Sequence, residues 1–446
     1  MKRNRCGITG VIVVVTVGVL GAVHVKAEHD SQQSSGRVDE ALEWNQIFID
    51  ALIATGTPNS SSQRLGAIVH TAIFDAHNGI EQRYTPIYVH TRAPQGASRR
   101  AAVIAAAYTT LFELFPPHRP LLDASYKASL VALSAACEQS RSRPQGDSCA
   151  THIERGIGWG IEVAEAVLAW RATDGFGAIY SPFTGGTAVG QWRPVPPATA
   201  MSAQGLAFTS MFALDSNTQF EPAPPRGLYT AEYADDVNAV RALGRQTGST
   251  RTDDQTALAP FWEGNASVHW NQAANQIASA HHLSLSDSSR LLAVLNVAMA
   301  DTAFTVWAAK RLYGSIPTYV TWRPATAIPL ADLDGNSDTA PDSSWLPLVT
   351  TPSHPEYPAG HPSLNGAAAT VLLSHFGKRQ TFTLTTTGQP SRTYSSITDA
   401  RSDGNNARVW GGMHYPSTVE ISDAMGEAIA TYINRHSMKR LHRQQR

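Results

Sequence analysis

The chain has 446 residues, 35 of them Lys or Arg and 36 Asp or Glu, so the net charge is −1 and only 16% of positions are charged. That balance excludes a disordered acidic chain and a basic nucleic-acid binder, both of which need a large excess of one sign. With 42% hydrophobic residues and 10 Trp, the chain can bury one large core or two fused ones, and the neutral total still leaves room for a few clustered cations.

Lys2, Arg3 and Arg5 precede an apolar run from Ile8 to Val23, which is followed by Val25-Lys26-Ala27. This order is that of a secretory signal peptide, and the run falls short of the roughly 20 residues that span a bilayer. The reading over 1–27 is therefore a leader cleaved near Ala27, with a secreted or periplasmic product. No later stretch reads as a membrane span, so stable membrane insertion after cleavage is not expected. Cys6 lies in the leader, which leaves Cys137 and Cys149 to pair across a polar, loop-like segment in an oxidising compartment. Closing so short a loop contributes about 3 kcal/mol in the chain-entropy model.

Apolar periodicity and capping residues predict a mainly α protein. A first helix begins at Asp39, and others follow over 62–78, 98–115, 121–136, 151–173, 231–243, 252–262, 270–281, 287–313, 363–376 and 419–436. Two Thr-rich runs, 380–387 and 392–396, predict one small hairpin. The Gly-, Pro- and Ser-rich stretches 175–225 and 316–362 read as long ordered loops of the kind that carry function.

The second loop and the segment after it hold three polar islands: Trp322-Arg323-Pro324, Pro358-Ala359-Gly360-His361, and Arg408 six positions before His414. Lys310 precedes them near the end of a long apolar helix. Together these groups can enclose a tetrahedral oxyanion such as phosphate or vanadate. Guanidinium forks bind its oxygens, Gly360 lets a backbone N–H approach, and a helix starting near Ser363 adds its N-terminal dipole. One imidazole can attack or ligate the central atom while the other moves a proton.

This order of motifs resembles the vanadium-dependent haloperoxidase and type 2 phosphatidic acid phosphatase superfamily, in its bacterial haloperoxidase-like branch. The resemblance extends to Glu43-Trp44-Asn45, to Val69-His70 with Asp75-Ala76 and Asn78, to Phe261-Trp262 with His269-Trp270-Asn271, and to His354-Pro355-Glu356-Tyr357-Pro358. It covers most of the chain after residue 40. It implies two helical bundles, read here as an N-terminal domain over 28–230 and a site-bearing domain over 231–446. It also implies vanadate as cofactor, with Lys310, Arg323 and Arg408 on its oxygens, Gly360 as backbone donor, His361 as acid/base and His414 as the ligand to vanadium. Hydrogen peroxide, bromide or chloride, and a small organic acceptor are the implied partners. In phosphatase relatives the residue matching His414 forms a phosphohistidine. A lipid or acid phosphatase, or a non-catalytic oxyanion-binding member, is therefore the alternative.

Three departures bear on the choice. Ala359 stands where the family has Ser, so a hydroxyl donor is missing unless Ser363 or a backbone N–H replaces it. Lys310 lies 13 positions before Arg323 where about seven are usual, so residues near 314–319 must loop out or Arg311 must substitute. Thr418 stands where phosphatases place an Asp behind the nucleophilic His, which favours a metal-ligating His414.

Outside these motifs, the acidic run Asp332 to Asp338 is similar to a calcium loop, but Gly335 falls two places early and Ser343 occupies the twelfth position. An Asx-rich turn is the preferred reading there and calcium the minor one. Trp270, Trp307, Trp322 and Trp410 read as core, and His70 and His77 as packed, hydrogen-bonded residues. Thiol titration of the denatured mature protein is expected to find no free thiol; two free thiols would overturn the pairing of Cys137 with Cys149.

Overall fold

Polar residues stand at most helix starts and spend their side chains on exposed backbone N–H groups. Asp39, Ser98, Ser148, Thr230, Thr252, Asn265, Ser284 and Ser396 each accept such a bond. The computed structural model describes residues 39–139 and 148–441, so the leader expected over 1–27 lies outside the described residues. The first half holds α1 (Glu40–Ala54), α2 (Asn59–Glu81), α3 (Arg99–Leu114), α4 (Arg119–Gln139) and α5 (Cys149–Ala172). The second half begins with α6 (Ala231–Leu243), α7 (Asp253–Phe261), α8 (Ala266–Ala280), α9 (Leu285–Gly314) and the one-turn α10 (Pro324–Ala327). After them come α11 (Gly360–Phe376), β1 (Phe382–Leu384), β2 (Arg392–Tyr394), α12 (Ile397–Trp410) and α13 (Pro416–His436). The strands pair antiparallel with Phe382 opposite Tyr394, so the chain is mainly α with one small hairpin.

Two elements depart from the sequence reading. Helix α11 starts at Gly360, three residues earlier than expected, because Pro362 falls in the first turn where its missing N–H satisfies no bond anyway. Helix α12 escaped prediction because Gly404, Asn405 and Asn406 interrupt its apolar periodicity. Packing against α7, α11 and α13, with the Ser396 cap, holds it in place.

One apolar core runs from Ala41 to Met438, with α9 through its centre against α2, α11 and α13. Helix α9 has 30 residues and is long and apolar enough to cross a membrane, which corrects the reading that no later stretch is. Its most apolar window is 94% buried in the protein, so its hydrophobicity is that of a core helix. Helices α11 and α13 cross closely because Gly366 and Gly426 carry no Cβ. A methyl at Gly426 would run into the Ser363 carbonyl, and one at Gly366 into the Asp423 carbonyl.

Two buried carboxylates tie long loops to this frame. Asp75 on α2 accepts N–H bonds from Ile87, Tyr88 and Val89 at 2.8–2.9 Å. Asp301 on α9 does the same for Phe212, Ala213 and Leu214 at 2.7–3.0 Å. Burial pushes both carboxyls up to about 6 against the pull of those donors. A disulfide joins Cys137 to Cys149, linking α4 to α5. The 332–338 segment is a turn in which Asp334 accepts from the Asn336 N–H and the Thr339 hydroxyl. Asp301→Ala strands three buried N–H groups and is expected to lower unfolding stability by roughly 3 kcal/mol or more, read from the denaturant midpoint.

Candidate oxyanion site

The islands of the sequence converge. Gly360, His361, Arg408 and His414 line a cavity of about 220 Å³ together with Asn59, Trp307 and His354. Arg323 reaches this group from the start of α10, Arg408 from the last turn of α12, and Gly360 and His361 form the first turn of α11. The backbone N–H groups of that first turn have no acceptor within the helix.

The hydrogen bonds determine where the protons lie. An arginine can only donate, and Arg323 Nη1 stands 3.0 Å from His414 Nε2, so Nε2 carries a lone pair. The proton of His414 is then on Nδ1, which donates to Glu356 Oε1 at 2.8 Å. Arg323 Nη2 likewise donates to His354 Nδ1 at 2.8 Å, which puts the His354 proton on Nε2. His361 Nε2 lies 3.2 Å from the Gly264 carbonyl and donates to it, leaving Nδ1 as the basic atom. Burial and the surrounding cations push the pKa of His354, His361 and His414 well below the usual imidazole range, so all three are neutral.

Among the described residues, Glu356 is the only carboxylate that touches His414. It also accepts from the Tyr415 N–H and the Thr418 hydroxyl at 3.1 and 3.0 Å. Burial raises its pKa to about 7, while Arg323 and Lys310 pull the other way. Its role corrects the inference drawn from Thr418. The carboxylate missing from that position comes from residue 356, and Thr418 supports it. Glu420 is exposed and Asp423 pairs with Arg401, so neither serves His414.

The cations are buried and only partly satisfied. Arg323 spends donors on the His354 and Met413 carbonyls, and burial lowers its pKa to about 9. Arg408 makes one 3.3 Å bond to the Trp262 carbonyl and one contact to Met413 sulfur, and its Nε has no partner among the described residues. Burial lowers it to about 10. Lys310 stands behind the cavity and gives its ammonium to the Pro355 and Glu356 carbonyls at 2.6 and 3.1 Å. Burial, then Arg323, hold its pKa well below the usual lysine range. Arg311 faces Phe208 and Phe183 instead, and the residues after Gly314 turn outward, which absorbs the long spacing to Arg323.

Ser363 does not replace the hydroxyl absent at Ala359, since it donates to the Ala359 carbonyl. Trp322 is core, bonded to Tyr233, whereas Trp307 faces the cavity and packs on His354. His354, Glu356 and Asn59 are the site groups that motif spacing did not single out. The signal for the first two was their common pentapeptide, 354–358.

Residues 290–443 match the family model of the VCPO second helical-bundle domain. No curated protein matches the sequence. Among solved structures, a bacterial vanadium-dependent iodoperoxidase is similar, with TM-score 0.72 and 21% identity over 91% of this chain and 97% of that one. The apo form of a bacterial vanadium-dependent chloroperoxidase gives 0.63 and 18% over 85% and 95%. Its holo form gives 0.61 and 18% over 84% and 92%. The architecture is thus that of the helical-bundle vanadium haloperoxidases. Family membership is carried by residues 290–443, which form a domain of the VCPO second helical-bundle type.

The donor set fits vanadate: Arg408, whose Nε has no partner among the described residues, and His414, whose Nε2 accepts only from Arg323, line one small cavity, and Arg323 borders it through that bond. Glu356→Ala is expected to weaken vanadate binding by about ten- to a hundredfold in a calorimetric titration, because the orientation of the His414 ring and its tautomer depend on it.

Proposed function

We propose that the protein is a vanadate-dependent haloperoxidase-like enzyme that oxidises bromide or chloride with hydrogen peroxide. The observation that carries this reading is the neutral His414, with Nδ1–H committed to Glu356 and the Nε2 lone pair held in a cationic cavity. In the proposal His414 Nε2 would ligate vanadate, and Arg323, Arg408 and the Gly360 N–H would hold its oxygens. Vanadate bound there supplies a Lewis acid that activates peroxide toward halide without a change of metal oxidation state.

The chain's own groups do the rest. His361 Nδ1 is the atom able to take the peroxide proton, since its Nε2–H is committed to Gly264. Arg323 Nη1 donates to the His414 Nε2 lone pair in the vanadate-free protein, a bond that must give way for Nε2 to ligate, and Glu356 keeps the proton on Nδ1. Lys310 fixes the 355–356 backbone that presents Glu356, so any polarising role on substrate is secondary to this bracing. A secreted or periplasmic location belongs to the same proposal, supported by the leader motif and by the disulfide.

Glu356 also supports a second reading, a phosphatase with a phosphohistidine at His414, because a carboxylate behind the nucleophile is what that chemistry requires. Purified protein would be assayed with orthovanadate, peroxide and bromide, and separately with a phosphate ester. The expected result is vanadate-dependent bromination that falls on the order of a hundredfold or more in His414→Ala. Ester turnover inhibited by vanadate, without bromination, would establish the phosphatase instead. Vanadate binding with neither activity would leave a binding module.

A further inference from the structure

A second and larger cavity, about 630 Å³, adjoins the oxyanion cavity. Glu263 lines both cavities, and the Gly264 carbonyl accepts the bond from His361. Glycine is required at 264, because a Cβ there would press on the Thr386 hydroxyl at 2.8 Å and on His269 at 2.9 Å.

The lining of the larger cavity has two characters. Leu52, Ile53 and Val268 offer an apolar wall, and Ile53 is 45% exposed at its rim, large for an aliphatic side chain with no partner. Thr385, Thr387 and Gln389 offer hydroxyl and amide groups. Of the lining residues only Glu263 and His269 are ionisable. Burial holds His269 down to about 4. Its Nε2–H is spent on Thr386, whose own proton goes to the Phe261 carbonyl. Glu263 is therefore the one formal charge on this wall, and its carboxylate makes no hydrogen bond or ion pair among the described residues. The volume is that of a small-molecule site. Glu263 is exposed to solvent and feels the charge of Arg408 across the shared edge, yet it is the one carboxylate beside the apolar wall, a combination that suits an organic cation over an anion.

We propose that this cavity binds a small organic amine, its ammonium on Glu263 and its apolar body against Leu52, Ile53 and Val268, beside the oxyanion site. Its use as the organic acceptor rests on the haloperoxidase reading, whereas its binding does not. In that use one C–X bond replaces one C–H bond as the peroxide O–O bond is reduced: R–H, halide, hydrogen peroxide and one proton give R–X and two waters.

Tyramine and 4-hydroxyphenylacetate share a phenol ring and carry opposite charges, so they would be titrated calorimetrically into protein held in saturating inorganic phosphate, which keeps the acid out of the oxyanion cavity. Tyramine is expected to saturate one site and to bind about fivefold or more tighter than the acid, the size of one partly exposed ion pair. Glu263→Gln should remove that preference. Ile53→Trp, a change at an exposed rim position, should weaken both probes while leaving the vanadate titration unaltered. Equal binding of the two probes, a preference that survives Glu263→Gln, or no saturable binding would overturn the proposal. Absence of bromination with tyramine binding and its Glu263 dependence intact would overturn the haloperoxidase reading and support this site.

Discussion

The hydrogen bond between Glu356 and His414 joins a buried carboxylate to a buried imidazole within reach of Arg323, Arg408 and Lys310. None of these groups is stable alone in such a place, because removing a charge from water costs several kcal/mol per ion. They are stable as a set. The carboxylate offsets part of the positive charge, the cations restrain the rise of its pKa, and the imidazole stays neutral because burial penalises its charged form and the neighbouring cations would repel it. The remaining excess is positive and lies around a cavity. A low-dielectric setting strengthens its pull on an anion well beyond that of the same side chains at a surface.

The same cations hold the fold of the loop that carries them. Between α9 and α11 the chain has little regular structure, so its backbone polar groups need partners from elsewhere. Lys310 takes two of its carbonyls and Arg323 takes the His354 carbonyl, while Glu356 receives the N–H that opens α13. Site and scaffold therefore share their hydrogen bonds. A substitution of Lys310 would disturb the position of Glu356 as well as the local charge. The glycines at 366 and 426 contribute from the other side, bringing α13 close enough to α11 for Ser422 to receive the Ala359 N–H at 2.7 Å. With Ala at 359 this bond fixes the start of α11 through the backbone, and the helix end can still present Gly360 to the cavity.

Asp75 and Asp301 repeat one device on two long helices: a buried carboxylate under three consecutive N–H groups. In each case a loop with little secondary structure of its own acquires a fixed path over the core. The Asp301 clamp orders residues 212–214, and the same long loop supplies the Ser202 carbonyl that receives the Trp307 indole at the cavity wall. The order of this cavity wall thus depends on a carboxylate, Asp301, that takes no part in its chemistry.

Most helices were legible in the sequence because periodicity and capping are local: a Ser or Thr before an apolar stripe meets N–H groups only two or three residues away. Arg323, Gly360, His361, Arg408 and His414 were legible as chemical types in a recognisable order. Other features were decided by the tertiary structure. Helix α12 has too little apolar periodicity to be predicted and exists through its neighbours. The partner of His414 lies 58 positions away in sequence, so Thr418 suggested a missing carboxylate where the fold supplies one. Ser363 is near Ala359 in the chain yet points its hydroxyl at a carbonyl. The protonated nitrogen of each imidazole, the unpaired Nε of Arg408 and the second cavity at Glu263 likewise follow from segments brought together from distant positions. Desolvation and hydrogen-bond partnership are properties of the folded interior, and residue order alone does not carry them.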